Sequence, residues 1–255
     1  MSAMVARVTE IDAAVRSAHQ ASALPESEWL RMLDVLAEPT ELVERGLAEA
    51  IKIREGRNVG YPRKAAVLGA DRLGLLATLL LRVQNIEVVT LGDALQPLLT
   101  TRRLQGLPGW QHVRMSPALD HIQLVEKTGA RYASARELSV DRAKRAFGPF
   151  DVIVVASTES CSGLMATKGL AEYGVLIDVT DCDGTLEIWT ARPTPCFLIR
   201  HLVAVNARID LKLYRQAVRD LALADVEHPG WLQALLTSLA SAPEDPDHLD
   251  VCLES

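Results

Sequence analysis

Along most of this chain, short apolar runs alternate with longer amphipathic stretches. Residues 1–57 read as helical: Val8–His19 and Trp29–Ala37 carry apolar side chains at helical spacing. Pro39 and Thr40 are expected to open a third helix, Glu41–Arg54, ended by Gly56. From there strands and helices take turns. Val67 marks a first strand, Leu73–Gln84 an apolar helix and Ile86–Leu91 a second strand. Asp120–Thr128 is a helix, Ala130–Ala133 a short strand, Val140–Phe147 a helix and Asp151–Ala156 a strand. Cys161–Tyr173 reads as helix, Val175–Thr180, Thr185–Thr190 and His201–Ala207 as strands. Leu211–Leu223 and Trp231–Ala240 are helices, and Leu249–Leu253 is a last strand. Apolar strands alternating with helices predict a parallel sheet buried on both faces, a three-layer α/β domain. The division expected is a helical segment over 1–57 and an α/β domain over 58–255, interrupted by an inserted loop at 94–120.

One stretch organises the rest: Lys64-Ala65-Ala66-Val67-Leu68-Gly69-Ala70-Asp71-Arg72-Leu73-Gly74. It reads as an apolar strand, a sharp turn and the start of a helix. Such a turn points the free N–H groups of the helix at an anion, usually a pyrophosphate. Gly69 and Gly74 are two of the three glycines the turn calls for, and Asp71 stands in place of the middle one. Two readings follow. As a fixed negative charge about 4 Å from a phosphate, Asp71 would repel it by roughly 4 kcal/mol at an effective dielectric of ~20. As a cap, its carboxylate would occupy the N–H groups of its own helix, worth about 1 kcal/mol.

Composition changes this picture little. The chain has 255 residues, 49% hydrophobic and 24% charged, with a net charge of −6. Mild acidity speaks against nucleic acid and anionic membranes as partners; a small-molecule ligand is the partner expected at the strand ends. The four cysteines form no CxxC pair, so they are expected to be reduced thiols in a cytoplasmic protein. The N-terminus shows no signal-peptide pattern, and no apolar run is long enough for a bilayer. The six histidines are scattered, and no Cys/His cluster is left to hold a zinc ion, so no metal site is expected.

Acidic residues collect where the strands end. Glu159 follows the Asp151–Ala156 strand, and Asp181 and Asp183 follow Val175–Thr180. Ligands sit at the carboxyl ends of such strands. Crowded carboxyls gain raised pKa values suited to proton transfer, so Glu159, Asp181 and Asp183 are the candidate catalytic residues. The plainer reading is that each caps a helix or turn. Asp93 lies about 20 residues past Gly74, where an acid hydrogen-bonds an adenosine ribose and favours NAD over NADP, or it is simply a turn aspartate after Gly92. Ser157 and Thr158 border the same edge and could hold a ribose or a substrate. With Gly69, Asp71, Arg72, Leu73 and Gly74 they form the candidate cofactor contacts. Cys161 has no base visible beside it and is a poor nucleophile candidate. The 94–120 loop, with Arg102, Arg103, Trp110 and Arg114, is long enough to be functional.

Four stretches carry a resemblance: Leu36–Glu44 (LAEPTELVE), Lys64–Leu76, Phe150–Thr158 (FDVIVVAST) and His201–Arg208 (HLVAVNAR). Together they resemble the nucleotide-binding half of the medium-chain, zinc-type alcohol and sugar dehydrogenases, nearest the glucose dehydrogenase branch. The resemblance covers about residues 27–255. It implies a Rossmann-type parallel sheet, here with an N-terminal helical segment, a dinucleotide site that would take NAD rather than NADP if a dinucleotide binds, Asn206 near the nicotinamide unless it only makes a strand-end hydrogen bond, and a homodimer paired along an edge strand. The catalytic domain of that family, with its zinc ligands, would precede residue 27, where a short helical segment stands here. The expected function is therefore a small-molecule enzyme of oxidoreductase ancestry with a degenerate NAD site and no zinc. The alternative is a non-catalytic binding or scaffold protein that keeps the dimer surface.

Overall fold

The computed structural model describes residues 15, 19–20, 24–92, 117–135, 140–157, 168–179, 197–199 and 211–240. Within them the chain runs α1 (Glu26–Gly56), β1 (Lys64–Leu68), α2 (Arg72–Val83), β2 (Glu87–Gly92), α3 (Pro117–Lys127) and β3 (Arg131–Ser134). It continues with α4 (Val140–Phe147), β4 (Phe150–Val155), β5 (Leu170–Asp178), β6 (Phe197–Ile199), α5 (Leu211–Glu227) and α6 (Trp231–Ala240). The strands form one sheet in the order β3-β2-β1-β4-β5-β6. Every pairing is parallel, with Val67 between Thr90 on one side and Val154 on the other.

The two faces of the sheet bury alternate side chains. Ala65, Val67, Val88, Val152, Val154, Val175 and Ile177 face one cluster, which α1, α2, α3, α5 and α6 also enter. Ala66, Leu68, Val89, Leu91, Ile153, Val155 and Leu176 face the other, which includes Ala143 of α4. Burial on both sides is why these strands read as continuous apolar runs. The architecture is the three-layer parallel sheet the sequence predicts.

Two elements differ from that prediction. The break expected at Pro39 is absent, and α1 is one helix of 31 residues with Pro39 inside it. A proline in a helix interior removes a hydrogen bond to the carbonyl four residues earlier. That carbonyl, on Val35, takes a donor from Arg72 of α2 instead, at 2.8 Å. The helix expected to reach Tyr173 also ends sooner, because β5 begins at Leu170, which pairs with Phe150 and is buried. The strand then slips in register before Val152 pairs with Val175, with Tyr173 at a positive φ of 56°. The strands expected at Thr185–Thr190, His201–Ala207 and Leu249–Leu253 lie outside the described residues, as do nearly all of the Val8–His19 helix and most of the 94–120 loop.

Side-chain bonds lock α1 into this core. Buried Trp29 donates its indole N–H to Asp225 Oδ2 of α5 at 2.9 Å. Arg54, 4% exposed, pairs with Asp151 at 3.0 Å and donates to the Gly60 carbonyl. Asp151 also accepts the backbone N–H of Arg63 and Lys64, so the end of α1 and the start of β1 share one anchor. In the same cluster, Trp231 of α6 donates its indole N–H to the Leu124 carbonyl of α3 at 2.8 Å.

Candidate functional site

The strand order reverses between β1 and β4, and the site lies at their carboxyl ends. There β1 passes through Gly69 into α2, while β4 runs into Ala156 and Ser157. The Gly69 N–H reaches across to the Leu91 carbonyl of β2 at 2.8 Å. The N–H groups of Ala156 and Ser157 both converge on the Leu68 carbonyl, at 2.8 and 3.1 Å.

Both turn glycines are fixed by contact. Gly69 has φ of +107°, and a Cβ there would sit 2.6 Å from the Ser157 Cβ. A Cβ on Gly74 would sit 2.1 Å from the Gly69 carbonyl oxygen. The first glycine lets β1 and β4 converge, and the second lets α2 pack directly on the turn. Sequence reasoning missed a third, Gly92 at the end of β2. A Cβ there would lie 2.6 Å from the Tyr132 hydroxyl and 2.9 Å from the Ala70 Cβ. A glycine ending an apolar strand was the available signal.

Asp71 is the N-cap of α2, and its Oδ1 accepts the Gly74 N–H at 3.0 Å. The residue as a whole is exposed, but its carboxyl is turned back into the first turn of the helix. Burial there raises its pKa above the ordinary aspartate value, against the opposing pull of the N–H groups of Gly74, Leu73 and Asp71 itself. Of the two readings of Asp71, this geometry is the cap: its carboxyl accepts the Gly74 N–H in the first turn of its own helix. The glycine frame lets β1, β4 and α2 approach closely, and the Gly74 N–H at the start of α2 is taken by the Asp71 carboxyl.

Thr78, one turn beyond Gly74 in α2, donates to the Gly74 carbonyl and lies 2.8 Å from the Thr90 hydroxyl of β2. Both threonines are fully buried and fix α2 on the sheet. Arg72 turns its guanidinium to Val35, and Leu73 packs on the main core. The structure thus brings Gly69, Asp71, Gly74 and Ser157 to one edge. Asp178, the buried last residue of β5, ends at that edge too and was not singled out from sequence. Asp93, Thr158, Glu159, Asp181, Asp183 and Asn206 lie outside the described residues. Among the described residues no three His, Cys, Asp or Glu side chains gather to hold a metal, and no helix is long and apolar enough to cross a membrane.

A parallel sheet in this order, with a glycine turn where the order reverses, defines a dinucleotide-binding-type α/β domain. Comparison with known proteins narrows the class. The chain is 33% identical over 137 residues to glucose 1-dehydrogenase of Methanocella arvoryzae, covering 54% of this chain and 32% of that protein. It is 27% identical over 212 residues to glucose 1-dehydrogenase 2 of Vulcanisaeta moutnovskia, covering 81% of this chain and 52% of the relative. Among solved structures, glucose dehydrogenase from Haloferax mediterranei shares the fold at a TM-score of 0.57 and 22% identity, over 84% of this chain and 54% of that one. A further structure of that enzyme is described as a complex with NADP, Zn and gluconolactone. No family model matches. In sequence and fold the chain is similar to glucose dehydrogenases of the medium-chain type. It spans from a third to about half of the length of these relatives.

Proposed function

We propose that this chain is a small-molecule protein of oxidoreductase type whose NAD site is weakened at the phosphate position. The observation that carries the reading is the Asp71 carboxyl on the Gly74 N–H, at the point where relatives of this fold class meet a pyrophosphate. A dinucleotide must displace that carboxyl or bind beside it. NADH accordingly binds weakly, and Asp93, following β2, favours NAD over NADP. Glu159, Asp181 and Asp183 are the proposed proton-transfer groups at the strand ends, with Ser157, Thr158 and Asn206 contacting ribose, nicotinamide or substrate. No zinc takes part in this reading. The test is an NADH titration followed by fluorescence, in the wild type and in Asp71→Gly. Weak wild-type binding that tightens at least tenfold in the variant supports the reading.

The same occupied donors favour a second reading, a non-catalytic binding or scaffold protein. Absence of NADH binding in both proteins would select it.

A further inference from the structure

α1 passes through Pro39 without ending, which deprives one carbonyl of its helical partner. In an α-helix the carbonyl of residue i accepts from the N–H of residue i+4. Pro39 has no N–H, so the carbonyl affected is that of Val35. This is the oxygen that Arg72 Nη2 reaches, at 2.8 Å. Arg72 is the first residue of α2, immediately after Asp71. A cation at a helix N-terminus is poorly placed against the helix dipole, so nothing local to α2 favours arginine here. Its Nε is buried with no acceptor among the described residues, and its Nη2 makes the bond to Val35.

We propose that Arg72 is a positioning residue: it replaces the hydrogen bond Pro39 removes from α1, and so holds the Gly69–Gly74 turn in register with that helix. The bond joins two segments distant in sequence, the proline-bearing part of α1 and the first residue of α2. Its consequence for ligand binding rests on the reading of the turn as a cofactor site. Its consequence for the fold does not.

The proposal makes Arg72 dispensable once residue 39 has an N–H. The test is a cycle of wild type, Arg72→Ala, Pro39→Ala and the double variant, in the full chain. Thermal unfolding of Arg72→Ala should begin roughly 2–4 °C lower. Amide exchange should quicken in peptides covering both 32–43 and 66–77. With Pro39→Ala present, the same arginine change should lose at least half of both effects. Arg72→Lys, which keeps a donor and the charge, should fall between wild type and Arg72→Ala, and it carries the cycle if the alanine variant does not fold. In an Asp71→Gly background, NADH affinity should drop several-fold with Arg72→Ala and recover when Pro39→Ala is added. An equal cost of Arg72→Ala with and without Pro39, or faster exchange in only one of the two peptides, overturns the proposal. Failure of Asp71→Gly to bind NADH would instead remove the cofactor reading, while the stability cycle still decides the role of Arg72.

Discussion

Glu44 of α1 and Asp220 of α5 bring two carboxyl groups together, within a helix pair also held by Trp29 and Asp225. Glu44 is only 5% exposed, and its Oε1 has no donor among the described residues. Burial first, then the neighbouring Asp220 carboxyl and its charge, push its pKa from 4.5 to about 8. Tyr61 is raised too, by burial and then by the charges of Glu44 and Asp220, and its hydroxyl donates to Gln84 at 2.8 Å.

The native state therefore keeps a proton on Glu44 that the unfolded chain releases. The stability it supplies is present below pH 4.5 and is lost as pH rises to about 8, over which interval it totals at most about 5 kcal/mol. Chemical denaturation between pH 5 and pH 8 should show stability falling with pH, and Glu44→Gln should flatten that slope. A slope unchanged in the variant would place the effect elsewhere.

Asp71 sets the pH dependence of binding as well as its strength. Its carboxyl is raised by burial, so acidification neutralises it sooner than an ordinary aspartate. NADH affinity in the wild type should rise as pH falls, and Asp71→Gly should be at least tenfold tighter near neutrality with this dependence gone. Calorimetry across pH 5 to 8 checks both. Tight wild-type binding that the substitution leaves unaltered would sink the argument.

Glycine substitutions separate the turn from ordinary helix. Gly74→Ala should destabilise by about 3 kcal/mol, since its Cβ would meet the Gly69 carbonyl oxygen at 2.1 Å and backbone would have to move. Gly56→Ala has nothing within 4 Å and should be neutral or stabilising by about 0.5–1 kcal/mol. Equal effects at the two positions, by urea denaturation, would contradict the packing described for the turn.

Assembly is the fourth expectation. β6 pairs only with β5 among the described residues, so Phe197–Ile199 forms an edge of the sheet there. An apolar edge of this kind invites pairing with a second copy. We expect a homodimer through this edge and the residues that follow it, and Val203→Lys with Val205→Lys should give monomers or insoluble protein. A wild-type monomer in light scattering at micromolar concentration would refute the dimer.

Much of the fold was legible in the chain. The apolar runs around Val67, Val89 and Val154 announced central strands because both of their faces are buried. Val140–Phe147 and Trp231–Ala240 were read to the residue, since their apolar spacing is helical and their ends are marked by neighbouring glycine and proline. The turn at Gly69 and Gly74 was legible for the same local reason.

What the sequence by itself determined is the alternation of elements, the position of the turn and the presence of a carboxylate in it. Only the tertiary structure decided what Asp71 does there, because capping and repelling a phosphate demand the same residue and differ in where one side chain points. Pro39 shows the same limit. Local chemistry says that proline ends a helix, yet α1 continues through it, and Arg72, 37 residues beyond Val35, donates to the carbonyl that proline leaves without a helical partner. Glu44 looks like any charged helix residue until α5 covers it and brings up Asp220. For Pro39 and Glu44 the deciding partner is distant in the chain, and periodicity and propensity carry no information about it.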